Sequence, residues 1–225
     1  MNAKGFLFDL DGTLVSSLAV VERAWLGVAQ RLNVDPQEML NFIHGKQAIT
    51  SLRHFMQGRS EADIQHEFDR LEQIEAADTD GIVALPGAIE LLNRLNELNI
   101  PWAIVTSGTI PIAHARSKAA GIPFPKVFIT AELVARGKPQ PDAYLLGAEC
   151  LGLAPADCIV VEDAAAGLAS GIAAGCQVIA VNAPANTAEL ARVDRVLVSL
   201  AQMRVEKAEN ELGDNVVSVQ FNAAL

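Results

Sequence analysis

Positive charge is in short supply. Seventeen Lys and Arg stand against 27 Asp and Glu in 225 residues, for a net charge of −10 and a pI near 4.8. So acidic a chain has no surplus of cations with which to neutralise a phosphate backbone, and nucleic acid is not expected as a partner. Small phosphorylated molecules are not excluded, since one or two local cations and a metal suffice for those. Cysteine is also scarce. Cys150, Cys158 and Cys176 are odd in number and form no close pair, which excludes a disulfide framework and a zinc ribbon. They read as small buried hydrophobes in a reducing cytosol, so a cytoplasmic location is expected. Of the four histidines, no two have metal-ligating spacing on a shared face. Long apolar runs are missing as well. Gly5–Phe8, behind Lys4, is too short for a secretory leader and is stopped by Asp9. The best membrane candidate, Ala164–Val181, is rich in Ala and Gly rather than Leu and follows Glu162 and Asp163; it reads as a helix, a turn and a buried strand. No membrane partner is expected. Apolar residues nevertheless make up 51% of the chain, enough for a real core and too many for a disordered one.

Short apolar runs recur along the chain at Phe6–Phe8, Trp102–Val105, Val127–Ile129, Ile159–Val161, Val178–Val181 and Val196–Val198. Continuous runs, unlike alternating ones, suit parallel strands buried on both faces. Helix patterns such as Ala88–Leu98, Ile110–Ala120 and Pro141–Leu151 lie between them. Strand then helix, repeated, predicts a doubly wound α/β fold with a Rossmann-like parallel sheet.

The interval from Ser16 to Ala84 breaks that rhythm and holds no convincing strand. Leu18, Val21, Trp25, Val28 and Leu32 follow one helix face. Asp35-Pro36 reads as a helix start, and Ser60–Asp63 as a capping-box-like start before Ile64, Phe68 and Leu71. About seventy helical residues between the first strand and the next α/β unit far exceed an ordinary connection. An inserted all-helical cap is therefore expected at 15–84, with the α/β core at 1–14 and 85–225 and hinges at Leu14–Ser17 and Gly81–Pro86. Gly167, Gly171 and Gly175 read as a packing stripe on one helix face. The tail after Val205 reads as a hairpin turning at Glu211–Asn215.

The active site of such a sheet lies at the carboxyl ends of its strands. The residues that follow the runs there are Asp9, Asp11, Gly12 and Thr13, then Thr106, Ser107 and Gly108, then Gly137 and Lys138, then Glu162 and Asp163. Four carboxylates in one small volume raise one another's pKa, and a hard dication relieves them. Mg²⁺ prefers a few carboxylate oxygens with water and substrate phosphate. Carboxylates, Mg²⁺ and a lysine are equipment for phosphoryl transfer, and one carboxylate can attack phosphorus.

Asp9–Thr13, Thr106, Gly137–Asp142 and Glu162-Asp163 resemble, in order, the four motifs of the haloacid dehalogenase superfamily. The helical insertion is similar to the cap of the phosphatase branch that includes phosphoglycolate phosphatase, β-phosphoglucomutase and bacterial sugar phosphatases. Asn41–Thr50 looks most like the cap segment of the small hexose- and hexitol-phosphate phosphatases. The resemblance implies Asp9 as nucleophile and metal ligand, and Asp11 as general acid–base and, through its carbonyl, a further ligand. It implies Thr106, Ser107 and Gly108 as phosphate binders, and Lys138 as the bridge from phosphate to Asp9. Asp163 becomes a direct metal ligand and Glu162 a direct or water-mediated one. His44 and Lys46 flank Gly45 in a cap loop where the resemblance places specificity residues, and Arg53 is a further candidate. His54, His66 and His114 read as surface or structural residues. Asp142 reads as a helix cap. Ser16-Ser17 stands where the family often has Asp-Ser. Val21 falls in the stretch where the mutase carries its cap histidine, so water is expected as the acceptor.

The resulting expectation is a Mg²⁺-dependent phosphatase of small sugar or sugar-alcohol phosphates, acting as a monomer. A phosphosugar mutase and a non-catalytic phospholigand-binding protein are the alternatives.

Overall fold

The computed structural model describes residues 1–209 and 215–222. The chain opens with β1 (Asn2–Ala3) and β2 (Gly5–Phe8). A two-residue strand, β3 (Val15–Ser16), leads into α1 (Leu18–Leu32), α2 (Pro36–Ile43), α3 (Ala48–Phe55) and α4 (Glu61–Ala77), and β4 (Val83–Ala84) brings the chain back. There follow α5 (Ala88–Glu97), β5 (Trp102–Val105), α6 (Ile110–Ala119), β6 (Val127–Ile129), α7 (Asp142–Leu151), β7 (Cys158–Glu162), α8 (Ala165–Ala173), β8 (Gln177–Val181) and β9 (Arg195–Leu197). A hairpin of β10 (Met203–Glu209) and β11 (Asn215–Phe221) comes last.

Six parallel strands form the main sheet in the order β6-β5-β2-β7-β8-β9. The expected runs all fall on strands, the central ones because both faces of the sheet are covered there; at the edge β9 is Arg195–Leu197, with Val196 and Val198 exposed. Phe6, Phe8, Ile104, Ile159, Val161, Ile179 and Val181 pack on one face with Leu91, Leu92 and Leu95 of α5. Leu7, Val105, Val160 and Val178 point the other way, against Ala143 and Tyr144 of α7 and Leu168 of α8. Fully burying one such side chain is worth about 1.5–3 kcal/mol, so the two faces together anchor the sheet. From β2 the chain winds first toward β6 and then toward β9. The switch point therefore lies between β2 and β7.

Helices α1–α4 enclose a separate apolar cluster that includes Trp25, Val28, Met39, Leu52, Ile64 and Leu71. Asp35 caps α2 by accepting from the Glu38 N–H, and Ser60 and Asp63 form the capping box of α4, as their residue types predict. One correction concerns the segment read as strand-free. Val15–Ser16 pairs antiparallel with Val83–Ala84, so a small ladder joins the two chain crossings. Two-residue strands are too short to show any periodicity.

Ala164–Val181 is α8 followed by β8, as read from its composition. Among the described residues no helix is long and apolar enough to cross a membrane. Gly167 and Gly171 pack against neighbours, but Gly175 lies beyond α8 with φ 77°, off the helix face. The tail hairpin has seven-residue strands, and β11 also pairs with β1. The turn expected at Glu211–Asn215 lies outside the described residues, except that Asn215 begins β11.

Candidate active site

β2 and β7 are adjacent and in register, Phe8 opposite Val161, so the residues just past their ends meet. Asp9 follows β2, Glu162 ends β7, and Asp163 follows it. Carboxylate oxygens of Asp9, Glu162 and Asp163 all lie within 4.8 Å of one another. Lys138 reaches this group from the loop before α7. Its Nζ donates to Asp9 Oδ1 at 2.6 Å, Glu162 Oε1 at 2.7 Å and the Val105 carbonyl at 2.9 Å. All four charged side chains are buried. Segments from four strand ends thus converge as the topology rule requires.

The charges do not balance. Three carboxylates face one ammonium; with all three ionised there is an excess of two negative charges out of water. Burial, with Glu162 adding to it, pushes the Asp9 carboxyl up to about 8 against the pull of Lys138. Asp163 is raised well above its ordinary range, by burial first and by Glu162 and Asp9 next. Lys138 is shifted upward because Asp9 and Glu162 outweigh its own desolvation. A hard dication fits this site on donor chemistry and on charge, since it supplies the two positive charges that are missing.

Each carboxylate is held differently. Asp163 Oδ1 accepts from Thr13 Oγ at 3.2 Å. The backbone of Gly12 packs against its other oxygen: a Cβ at Gly12 would lie 2.1 Å from Asp163 Oδ2, and φ there is 85°. Both oxygens of Glu162 are engaged. Oε1 accepts from Lys138 and from Tyr144 Oη at 3.0 Å, and Oε2 accepts the N–H groups of Asp163 and Ala164. Gly167 lets α8 approach Glu162 so closely that a Cβ would sit 1.6 Å from Oε1. Glu162 therefore lies in the acidic group while already anchoring Lys138. The carboxylate of Asp11 stands apart from that group. Its Oδ1 accepts from Ser17 Oγ at 2.5 Å and forms an ion pair with Arg116 Nη1 at 2.9 Å.

Thr106, Ser107 and Gly108 line the cavity shared with Asp9 and Asp11. Thr106 Oγ accepts the Gly108 N–H at 3.0 Å, and Ser107 Oγ donates to the Gly45 carbonyl at 3.1 Å. That second bond ties the sheet side of the cavity to the loop between α2 and α3. His44 and Lys46 of this loop also line the cavity, as does Val21. Burial lowers the pKa of both His44 and Lys46. Lys46 Nζ is held on its own side of the cavity, donating to the Phe42 carbonyl at 2.7 Å and lying over the Phe42 ring. Arg53 is not there: it pairs with Glu61 and lines an outer groove. His54 stacks on Phe42, His114 packs against Phe124 and Phe128, and His66 is exposed. Asp142 is a correction. It starts α7 and pairs with Arg136 at 2.9 Å, while Pro141 occupies the cap position.

Three residues at the site were not foreseen. Tyr144, on α7, donates to Glu162. Arg116, on α6, and Glu75, on α4, form an ion pair at 3.5 Å with both side chains buried. A signal existed for the last two. Arg116 shares the buried face of Ile112, Ala113, Ser117 and Ala120, and Glu75 lies four residues beyond Leu71.

Comparison with known proteins agrees with this geometry. A family model described as haloacid dehalogenase-like hydrolase matches residues 3–175. Hexitol phosphatase A of Escherichia coli (strain K12) is 66% identical over 96% of this chain and 100% of its own length. The 2-deoxyglucose-6-phosphate phosphatase 1 of Saccharomyces cerevisiae is 32% identical over 97% of this chain and 95% of its own. The crystal structure of β-phosphoglucomutase from Clostridium difficile superposes with a TM-score of 0.78 over 90% of this chain and 93% of that one, at 22% identity, and so shares the fold. By its motifs in space, its sheet and these likenesses, the chain belongs to the haloacid dehalogenase-like hydrolases.

Proposed function

We propose that this hydrolase is a Mg²⁺-dependent phosphatase of small sugar or sugar-alcohol phosphates, working through an aspartyl-phosphate on Asp9. One observation carries the reading: Lys138 Nζ lies between Asp9 and Glu162 at 2.6 and 2.7 Å, beside Asp163. An ammonium so placed pulls the Asp9 carboxyl toward its ionised form against the burial that raises it, and can bind a phosphoryl oxygen next to it. The relatives named as hexitol and deoxyglucose phosphate phosphatases support the substrate class.

In this reading Asp9 and Asp163 would hold the metal, with the Asp11 carbonyl and Glu162 assisting. When bound, Mg²⁺ supplies charge neutralisation and polarises the phosphoryl group. Asp9 attacks phosphorus, and the bond to the sugar oxygen breaks as Asp11 gives that oxygen a proton. Asp11 then takes a proton from the water that releases phosphate. Thr106 and the Ser107–Gly108 backbone bind the phosphoryl oxygens. We read residues 15–84 as a cap that closes over the cavity, excludes bulk water and offers His44 and Lys46 to the polyol. The acidic surface suits a small substrate and gives nucleic acid no purchase. Unpaired Cys150, Cys158 and Cys176 suit the cytoplasm, and a monomer is our reading of the assembly.

The mutase alternative is not favoured, because Val21 stands in the stretch where the mutase carries its cap histidine and the relatives compared by sequence are phosphatases, the mutase sharing the fold alone. Asp9→Asn is expected to abolish hydrolysis of a panel of hexitol and hexose phosphates without loss of fold, and retained turnover would remove Asp9 as nucleophile. The same panel assayed with Mg²⁺ and then with EDTA tests the metal: activity indifferent to EDTA would contradict it. A purely binding protein would leave p-nitrophenyl phosphate untouched.

A further inference from the structure

We propose that Arg116 and Glu75 are a positioning pair that sets the Asp11 carboxyl for proton transfer to the leaving oxygen, and does so only while α4 lies against α6. The inference rests on the phosphatase reading above and goes beyond it in naming what holds the acid.

Arg116 is 3% exposed and Glu75 4% exposed. Arg116 projects from α6, in the unit built on the sheet. Nη1 meets Asp11 Oδ1 at 2.9 Å, and Nη2 faces Glu75 of α4 at 3.5 Å. Among the described residues, it is the ion pair that joins helices α1–α4 to residues 1–14 or 85–222, since Arg23 pairs with Asp78 within 15–84. The other stitches across that boundary are neutral hydrogen bonds, such as Ser107 to Gly45 and Gln47 to Ala131. Both partners of the Asp11 carboxylate, the Ser17 hydroxyl and the Arg116 guanidinium, meet the same oxygen, Oδ1. Oδ2 is thereby turned toward the loop of Gly108, where a Cβ would lie 4.0 Å from it. That is the side on which the phosphate binders lie.

A guanidinium out of water is tolerated only with its charge matched and its N–H groups engaged. Arg116 has little to spare: Nε and Nη2 are buried and make no hydrogen bond of good geometry. Asp11 and Glu75 share one cation between them. If α4 moves away, Glu75 leaves with it, and the guanidinium must swing or draw Asp11 further onto itself. Either movement takes Oδ2 off line. No catalytic contact with substrate is assigned to either residue; they act through Asp11.

The test compares two esters by kcat/KM, which reports the steps through departure of the leaving group. Sorbitol 6-phosphate expels an alkoxide that needs a proton, and p-nitrophenyl phosphate expels a phenolate that does not. Such proton transfer is typically worth about 10²–10⁴ in rate. Glu75→Gln and Arg116→Lys are expected to lower kcat/KM for sorbitol 6-phosphate about tenfold or more beyond any loss on the aryl ester. Asp11→Asn should show a larger split in the same direction. Adding Glu75→Gln to Asp11→Asn should then cost little more, since both act on one group. If Glu75→Gln does not fold cooperatively, Glu75→Asp and Arg116→Lys decide by the same ratio. Equal losses on the two esters, or additive losses in the double variant, would overturn the pair. A wild-type protein that hydrolyses neither ester would strike down the phosphatase reading itself. A split at Asp11→Asn with none at Glu75→Gln would remove only the positioning pair.

Discussion

Removing Lys138 leaves Asp9 and Glu162 facing one another without the ammonium between them. Lys138→Met is therefore expected to cost roughly 3–5 kcal/mol in urea unfolding without metal, and to abolish turnover. A stability within 1 kcal/mol of wild type, roughly, would show that the carboxylates simply take up protons instead. Gly12→Ala should also fail. A methyl group there meets Asp163 Oδ2, and φ 85° is hostile to any side chain. Activity surviving that change would mean the loop can shift without harm. At this scale the sequence was informative where residue type and chemistry coincide. Asp9, Lys138 and Asp163 stand past successive strand ends, and the structure brings the three together. Arg116 and Glu75 escaped notice because a charge on a helix's buried face looks like a lapse in an apolar stripe. Its partner lies 41 or 105 positions away, at Glu75 or Asp11 respectively, and spacing gives no hint of it. Tyr144 was equally silent, since a tyrosine inside a helix reads as core.

Helices and strands were legible for a different reason. Each is specified within a dozen neighbouring residues, as the buried runs of β5 and β7 and the capping box at Ser60–Asp63 illustrate. What stayed hidden depends on distant pairing. β3 and β4 exist only because residues 15–16 and 83–84 meet. Asp142 resembled a cap until Arg136 claimed it. The capping box also offers a test that avoids the chemistry. Ser60→Ala removes the acceptor for the Asp63 N–H at 3.1 Å and should lower the melting midpoint by roughly 2–4 °C, with hydrolysis unchanged. No change in melting would mean that the packing of Ile64 and Leu71, not the cap, fixes the start of α4.

Over the whole molecule, the buried acids link stability to pH. Asp9 is raised from 3.8 to about 8 on folding, and Asp163 moves the same way. The folded metal-free protein thus retains protons that the unfolded chain releases. The stability they confer is complete below about pH 4 and is lost as pH rises toward 8. If Mg²⁺ binds there as proposed, it competes with those protons, and its effect on the melting temperature should be larger at pH 8 than at pH 6. An equal shift at both would place the cation elsewhere. The expected architecture, a sheet with a helical insertion, was visible in the order of the elements; the clasp formed by β1 and β11 was not. That clasp has a consequence for biosynthesis. Met203, Val205, Val217 and Val219 cover the same sheet face as Phe6 and Phe8. A nascent chain has therefore made every residue of its acidic cradle before the hairpin that packs over β2 leaves the ribosome. During that interval this face of β2 has α5 to pack against but not yet the hairpin.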